Sequence, residues 1–255
     1  MLLPPAPFSL QEARLCGNAV MAAYDLYHQW LQQNRPSPEA LDWQPAFSAP
    51  GISPPIWAEE TLLHWFGHAE PFAFVAQLEN DDRLIAIRGT ESGDDWIDDA
   101  RASQMPFEFA QGNALVHAGF VQLYRSLRLS LLPALSALPG RGRILITGHS
   151  LGAALSLLTL AELAHHPDIP GTRLLHYSFA GPRVGDQAFS QLLHQSNLFD
   201  FHFVNTCDLV PQLPPAVLGN TLYTHTGVSL CFHHQGGSVA ANHNLQDAYL
   251  PALDN

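Results

Sequence analysis

The chain has 255 residues, 47% of them hydrophobic and only 13% charged, with a net charge of −12. That much apolar surface offsets the entropy of ordering and excludes a disordered chain. All 11 basic residues are Arg, which excludes Schiff-base, Ser–Lys and phosphate-lysine chemistry, and the acidic balance argues against nucleic acid and against an anionic membrane held by charge.

The N-terminus reads MLLPPAPFSLQEARLC, without a basic region or an apolar run and interrupted by Pro4, Pro5 and Pro7. No Sec-type signal peptide is expected, so the expected location is cytoplasmic or reached by non-Sec export. From the candidate N-cap Ser9, the apolar or small residues Leu10, Ala13, Gly17, Val20, Tyr24, Tyr27 and Leu31 recur every three or four positions and predict a helix to Gln33. Residues 35–55 are Pro-rich and aperiodic, so residues 1–70 read as an N-terminal helix and a covering loop. Two apolar runs, Phe72–Glu79 and Arg83–Arg88, flank Asn80-Asp81-Asp82 and predict a hairpin. A long helix is expected from Leu115 to Leu138, then a short strand over Arg143–Thr147 and a helix over Leu151–His165 that Pro167 ends. Leu174–Phe179 and Phe201–Asn205 read as strands, Thr221–Phe232 as a hairpin around Thr226-Gly227, and Asn242–Leu250 as a short helix. Strands alternating with helices predict an α/β fold with a mostly parallel central sheet flanked by helices. No linker divides the chain, so one domain over residues 1–255 is expected. No stretch of 18 apolar residues occurs, so stable membrane insertion is not expected. Cys16, Cys207 and Cys231 show no CxxC spacing; free thiols are the simpler expectation, with a Cys207–Cys231 disulfide as the alternative.

The sharpest chemical signal is Gly148-His149-Ser150-Leu151-Gly152, between the strand Arg143–Thr147 and the helix Leu151–His165. A Ser on a tight strand-to-helix turn presents its hydroxyl in a strained conformation, and side chains two positions either side would collide. The helix N-terminus then points the Leu151 N–H at a developing oxyanion. A nucleophilic Ser needs a base and an acid to orient it, in the α/β-hydrolase order Ser, acid, His. Residues 111–255 hold only 7 acids, and those between Ser150 and the last His are Glu162, Asp168, Asp186, Asp200 and Asp208. Glu162 lies within the helix after the Ser, Asp168 in a turn at its far end, and Asp200 at the start of a strand, opposite the active end. Asp186 and Asp208 each follow a strand and both qualify, since open α/β sheets carry ligands beyond the carboxyl ends of their strands; Asp186 could instead cap the next helix. Of His225, His233, His234 and His243, the last sits in a loop before the final helix and has the freedom to reach both partners.

The chain resembles the fungal-type class 3 lipase family of α/β-hydrolases. The resemblance is carried in order by Ile85-Ala-Ile-Arg-Gly-Thr90 with Trp96, Val116-His-Ala-Gly-Phe120, Gly148–Gly152, Phe179-Ala-Gly-Pro-Arg-Val-Gly185, Val204-Asn-Thr-Cys-Asp-Leu-Val-Pro211 and His243-Asn-Leu-Gln-Asp-Ala-Tyr249. It implies a serine carboxylic-ester hydrolase with Ser150, Asp208 and His243 as triad and Thr90 and Leu151 as oxyanion-hole residues. It also implies a lid over residues 91–105, where Trp96 and Ile97 stand among five acids; a solvated acidic loop is the competing reading. The expected substrate is a small-molecule ester or lipid, with no cofactor, no nucleic acid and at most weak contact with a lipid interface. A phospholipase, thioesterase or peptidase on the same triad, or a non-enzymatic binding module, are the rival readings. His64 with His68, His165-His166 and His233-His234 lack a third ligand or an accompanying Glu, so no metal site is expected.

Overall fold

The computed structural model describes residues 8–60, 66–90, 103–167, 169, 173–196 and 198–254. Helix α1 spans Leu10–Gln32, and Ser9 caps it by accepting from the Glu12 N–H. The long apolar periodicity read from Leu10 to Leu31 places Ala13, Cys16, Val20 and Ala23 on the buried face.

Eight strands of the described residues form the main sheet, in the order β1–β3–β4–β7–β8–β9–β12, with β2 also on β3. They are β1 (Gly51–Ile52), β2 (Ile56–Glu60), β3 (Phe66–Gln77), β4 (Arg83–Ile87), β7 (Ile144–His149), β8 (Leu174–Phe179), β9 (Phe199–Asn205) and β12 (Val228–Phe232). From β4 to β12 every pairing is parallel, whereas β3 runs antiparallel to β1, β2 and β4. The central sheet is thus mostly parallel, as the alternation of elements predicts. Between the hairpin strands β3 and β4, Asp81 takes a left-handed φ of 68°.

Helices cover both faces. Helix α2 (Ala118–Ala137), α3 (Leu151–Ala164) and α4 (Gln187–Gln195) pack on one face, against Ile85, Ile87, Ile144 and Ile146. Helix α1 and the C-terminal turns pack on the other, against Leu84, Ala86, Leu145 and Tyr177. The side-chain alternation of β4 and β7 splits their apolar residues between the two layers, which is why these strands read as unbroken apolar runs. No described helix is long and apolar enough to cross a membrane.

Three elements depart from the sequence reading. Within residues 1–70, β1, β2 and the start of β3 contribute sheet where a loop was expected. Leu115–His117 is a strand, β6, paired with β5 (Gln104–Pro106); α2 starts only at Ala118, because the His117 imidazole turns back to accept from the Phe120 N–H as its cap. Thr221–Phe232 is not a hairpin. Thr221–Leu222 (β11) pairs with Val217–Leu218 (β10) across a two-residue Gly219-Asn220 turn, and Val228–Phe232 joins the main sheet beside β9. Gly219 takes a φ of 60°, the conformation such a turn requires. Gly227, also left-handed, passes so close to Asp200 that a Cβ would collide with it. Cys16, Cys207 and Cys231 are all free thiols.

Candidate active site

Strand β7 ends at His149, α3 begins at Leu151, and Ser150 between them takes φ 59° and ψ −127°. This left-handed backbone is strained for a residue with a side chain and is characteristic of a functional turn. It exists because the flanking glycines let the segments meet: a Cβ on Gly148 would collide with the Gly152 carbonyl, and one on Gly152 with the Arg88 and Ile87 carbonyls. The Ser150 N–H donates to the Phe179 carbonyl of β8 (3.0 Å), fixing the turn to the sheet.

Ser150 Oγ lies 2.8 Å from His243 Nε2, and His243 Nδ1 lies 2.7 Å from Asp208 Oδ2. The three side chains come from three elements. Asp208 follows β9, and His243 is the last residue of a short helix, α5 (Val239–His243), capped by Ser238. The Asp208 carboxylate is sealed from solvent with both oxygens engaged: Oδ1 accepts from the Val210 N–H (2.9 Å), and Oδ2 also accepts from the Tyr249 hydroxyl (2.7 Å). Asn205 and Asn242 stitch the two loops together. Asn205 Nδ2 donates to the Asn242 and His234 carbonyls, and Asn242 Nδ2 donates to the Cys207 carbonyl. Asp186, the other acid left open by the sequence, serves as a cap. Its Oδ1 accepts from the Phe189 N–H of α4 (2.8 Å) and from the Leu115 N–H (3.2 Å). Glu162 is held by Tyr124 and Arg128. Asp168 lies outside the described residues.

Thr90 stands at the end of β4, beyond Arg88 and Gly89. Arg88 pins that strand end: it pairs with Glu70 (2.8 Å), donates to the Pro71 and Gly89 carbonyls, and lies between the rings of Tyr27 and Phe72. The Thr90 hydroxyl oxygen is buried and has no hydrogen-bond partner among the described residues. An orphan buried hydroxyl is rare and costs stability unless a ligand completes it. Leu151 is the first residue of α3, where an N–H has no intrahelical acceptor. Trp96 and Ile97, expected in a lid, lie outside the described residues.

His149 is buried between the same elements. Its Nε2 donates to the His243 carbonyl (2.8 Å), and its Nδ1 lies 2.8 Å from the Tyr24 hydroxyl of α1. The Tyr24 hydroxyl also accepts from the Gly89 N–H (3.0 Å). Burial, and then the neighbouring His243, hold the His149 imidazole well below the usual histidine range.

A second Ser–His–Asp series lies deeper in the molecule. Ser156 Oγ is 2.8 Å from His176 Nε2, and His176 Nδ1 is 2.7 Å from Asp200 Oδ1, whose other oxygen accepts from Thr226. Burial opposes the Asp200 charge, but His176 and Thr226 hold its carboxyl below the ordinary carboxylate range. Ser156 differs from Ser150 in three ways. It lies within a helix, it donates to the Ala153 carbonyl, and it is 0% exposed. The adjoining cavity, lined by His176, Asp200 and His202 among others, is about 20 Å³, room for one water and no substrate. The register sets Asp200 beside His176 and His176 in turn beside Ile146, below the strand end that carries Ser150. Sequence reasoning set Asp200 aside and did not find this series, because it joins residues on α3, β8 and β9 that carry no local motif.

Among the described residues, the pairs His165-His166 and His233-His234 do not gather three metal ligands. His165 Nδ1 bonds the Ala161 carbonyl, and His233 Nδ1 faces Thr206 Oγ1 at 3.1 Å. The described residues contain no group of three or more His, Cys, Asp or Glu able to hold a metal ion. The side chains of His64 and His68 lie outside the description.

The family model described as lipase (class 3) matches residues 84–218. A lipase of Rhizomucor miehei is 31% identical over 161 residues, covering 61% of this chain and 43% of the relative. The chloroplastic phospholipase A(1) DAD1 of Arabidopsis thaliana is 27% identical over 198 residues, covering 67% of this chain and 44% of the relative. The chain therefore spans less than half the length of these two curated relatives. The crystal structure of a lipase from Rhizopus microsporus var. chinensis superposes with a TM-score of 0.65 at 24% identity, over 88% of this chain and 75% of that one. The two chains share the α/β-hydrolase fold.

Proposed function

The chain belongs to the class 3 lipase family, and from that premise we propose that it is a serine carboxylic-ester hydrolase of the lipase type. The observation that carries this reading is the unbroken series Ser150 Oγ–His243–Asp208 at 2.8 and 2.7 Å, on a strained strand-to-helix turn. Ser150 attacks the ester carbonyl while His243 Nε2 takes its proton. Asp208 holds the Nδ1–H and stabilises the imidazolium. The developing oxyanion falls to the Leu151 N–H and to Thr90, whose buried hydroxyl has no partner among the described residues. His243 then protonates the leaving alcohol, and water, activated by the same imidazole, releases the acid. The chemistry requires no cofactor.

The substrate class is a lipid ester, consistent with relatives named lipase, phospholipase A(1), and mono- and diacylglycerol lipase. Contact with a lipid interface is assigned to the β10–β11 hairpin. Val217 and Leu222 are cross-strand partners on one face, 64% and 55% exposed. Residues 209–226 contain no Asp, Glu or Arg. An uncharged apolar tip on an acidic protein suits a neutral interface. Gln104, at the end of the proposed lid, donates to the Leu222 carbonyl (2.7 Å).

The test is turnover of p-nitrophenyl esters of rising chain length, of emulsified triacylglycerol and of phosphatidylcholine, with Ser150→Ala as control. Ester hydrolysis lost in Ser150→Ala is the expected result. Turnover of peptide or thioester substrates alone would replace this reading with a rival on the same machinery.

A further inference from the structure

The residue between Gly148 and Ser150 and a tyrosine of the N-terminal helix form a connection that ester chemistry alone does not require. His149 Nε2 faces the backbone carbonyl of His243 at 2.8 Å. A carbonyl can only accept, so Nε2 carries the proton, and in a neutral ring Nδ1 is the acceptor. The Tyr24 hydroxyl, 2.8 Å away, donates to it. The same hydroxyl oxygen receives the Gly89 N–H at 3.0 Å. One side chain of α1 therefore touches both the strand end that presents Thr90 and the ring that holds the His243 backbone. The approach is close: a Cβ on Gly89 would lie 2.6 Å from Tyr24 Oη and 2.8 Å from both the His149 carbonyl and Ser150 Cβ. The His149 and His243 rings pack with centroids 4.7 Å apart.

We propose that Tyr24 and His149 are a pair of positioning residues that latch the oxyanion strand and the His243 backbone to the Ser150 turn. The inference rests on the reading of Ser150, His243 and Asp208 as the catalytic set. Neither Tyr24 nor His243 falls within residues 84–218, the part matched by the family model, so the latch recruits helix α1 to the site. Its chemical logic is twofold. First, it fixes the His243 main chain, so the imidazole spans Ser150 and Asp208 without searching. Second, Tyr24 holds His149 in the neutral tautomer, so no second positive charge stacks on His243 when that ring becomes an imidazolium. Burial and the His243 ring already disfavour charge on His149.

The experiment measures kcat and KM on a soluble short-chain p-nitrophenyl ester, per active site titrated with a fluorophosphonate. Tyr24→Phe keeps the ring and removes the hydroxyl. It is expected to lower kcat about ten- to a hundredfold, the scale of a misplaced catalytic group, with KM within about twofold and melting temperature little changed. His149→Gln retains an amide donor near the Nε2 position, and His149→Leu does not. The expected order of kcat is wild type, then Gln, then Leu, a graded rescue that loss of packing would not produce. If His149→Leu fails to fold, Tyr24→Phe decides alone. The latch is overturned if Tyr24→Phe keeps kcat within about twofold, or if Gln and Leu at position 149 are equally impaired. Ser150→Ala separates the two claims. Turnover lost in Ser150→Ala but unaltered in Tyr24→Phe refutes the latch only, whereas full turnover in Ser150→Ala refutes the catalytic assignment beneath it.

Discussion

The Tyr249 hydroxyl donates to Asp208 Oδ2 at 2.7 Å, the same carboxylate oxygen that faces His243 Nδ1 at 2.7 Å. Asp208 is thus held from three sides, by the Val210 N–H, Tyr249 and His243. Burial, and then the Asp208 charge, push the Tyr249 phenol up, so it remains a donor. Tyr249→Phe leaves a buried carboxylate short of one hydrogen bond, with an expected loss of about 1–3 kcal/mol of stability. The Asp208–His243 alignment loosens with it, and kcat on a soluble ester is expected to fall about tenfold. Denaturant titration and steady-state kinetics on the same preparation check both numbers.

Asp186 and Asp208 make opposite predictions. Asp208→Asn cannot fix the His243 tautomer, and kcat is expected to fall by about four orders of magnitude with little change in KM. Asp186→Ala removes a helix cap, with an expected cost of about 1 kcal/mol in stability and kcat within about twofold. A turnover collapse in Asp186→Ala without unfolding would move the acid to that residue.

His117 links stability to pH. Its imidazole is buried, and burial lowers its pKa from 6.5 to about 4. The unfolded chain therefore binds more protons than the folded one between those values. Stability rises with pH across the window and is lost as pH falls from about 6.5 to about 4, by roughly 3 kcal/mol for this residue alone. His202, pushed down to about 3 by burial, acts in the same direction. His117→Asn keeps a capping side chain and removes the titration, so urea unfolding at pH 7 and pH 5 should show a smaller difference than in the wild type.

The hairpin prediction concerns lipid binding. Val217→Ser with Leu222→Ser removes the exposed apolar pair of β10–β11. Burying two such side chains contributes about 1.5–3 kcal/mol each, so affinity for phosphatidylcholine vesicles is expected to fall at least about tenfold. Hydrolysis of emulsified lipid should fall more than turnover of a soluble ester. Equal vesicle binding by the double variant and the wild type would remove the hairpin from the interface.

The sequence made local features legible and left spatial ones hidden. The Ser150 turn was readable because its glycines, strand and helix are contiguous, and α1 because its apolar face repeats over 23 residues. The choice between Asp186 and Asp208 stayed open because both follow strands; only in space is one carboxylate turned to backbone N–H groups and the other to an imidazole. Gly219 and Gly227 carry the same turn signal in sequence. The first closes a hairpin, and the second lets the chain skim past Asp200 into the sheet. Tyr24 and His149 meet across 125 positions, and the Ser156–His176–Asp200 series joins three elements; neither leaves a periodic trace.

Among the described residues, two serines face an imidazole that faces an aspartate, and the account rests on Ser150 being the reactive one. The most direct test is fluorophosphonate labelling followed by mass mapping of the adduct in the wild type, Ser150→Ala and Ser156→Ala. The account predicts one adduct, on Ser150, in the wild type and in Ser156→Ala, and none in Ser150→Ala. An adduct that persists in Ser150→Ala, or one mapped to Ser156, would contradict it.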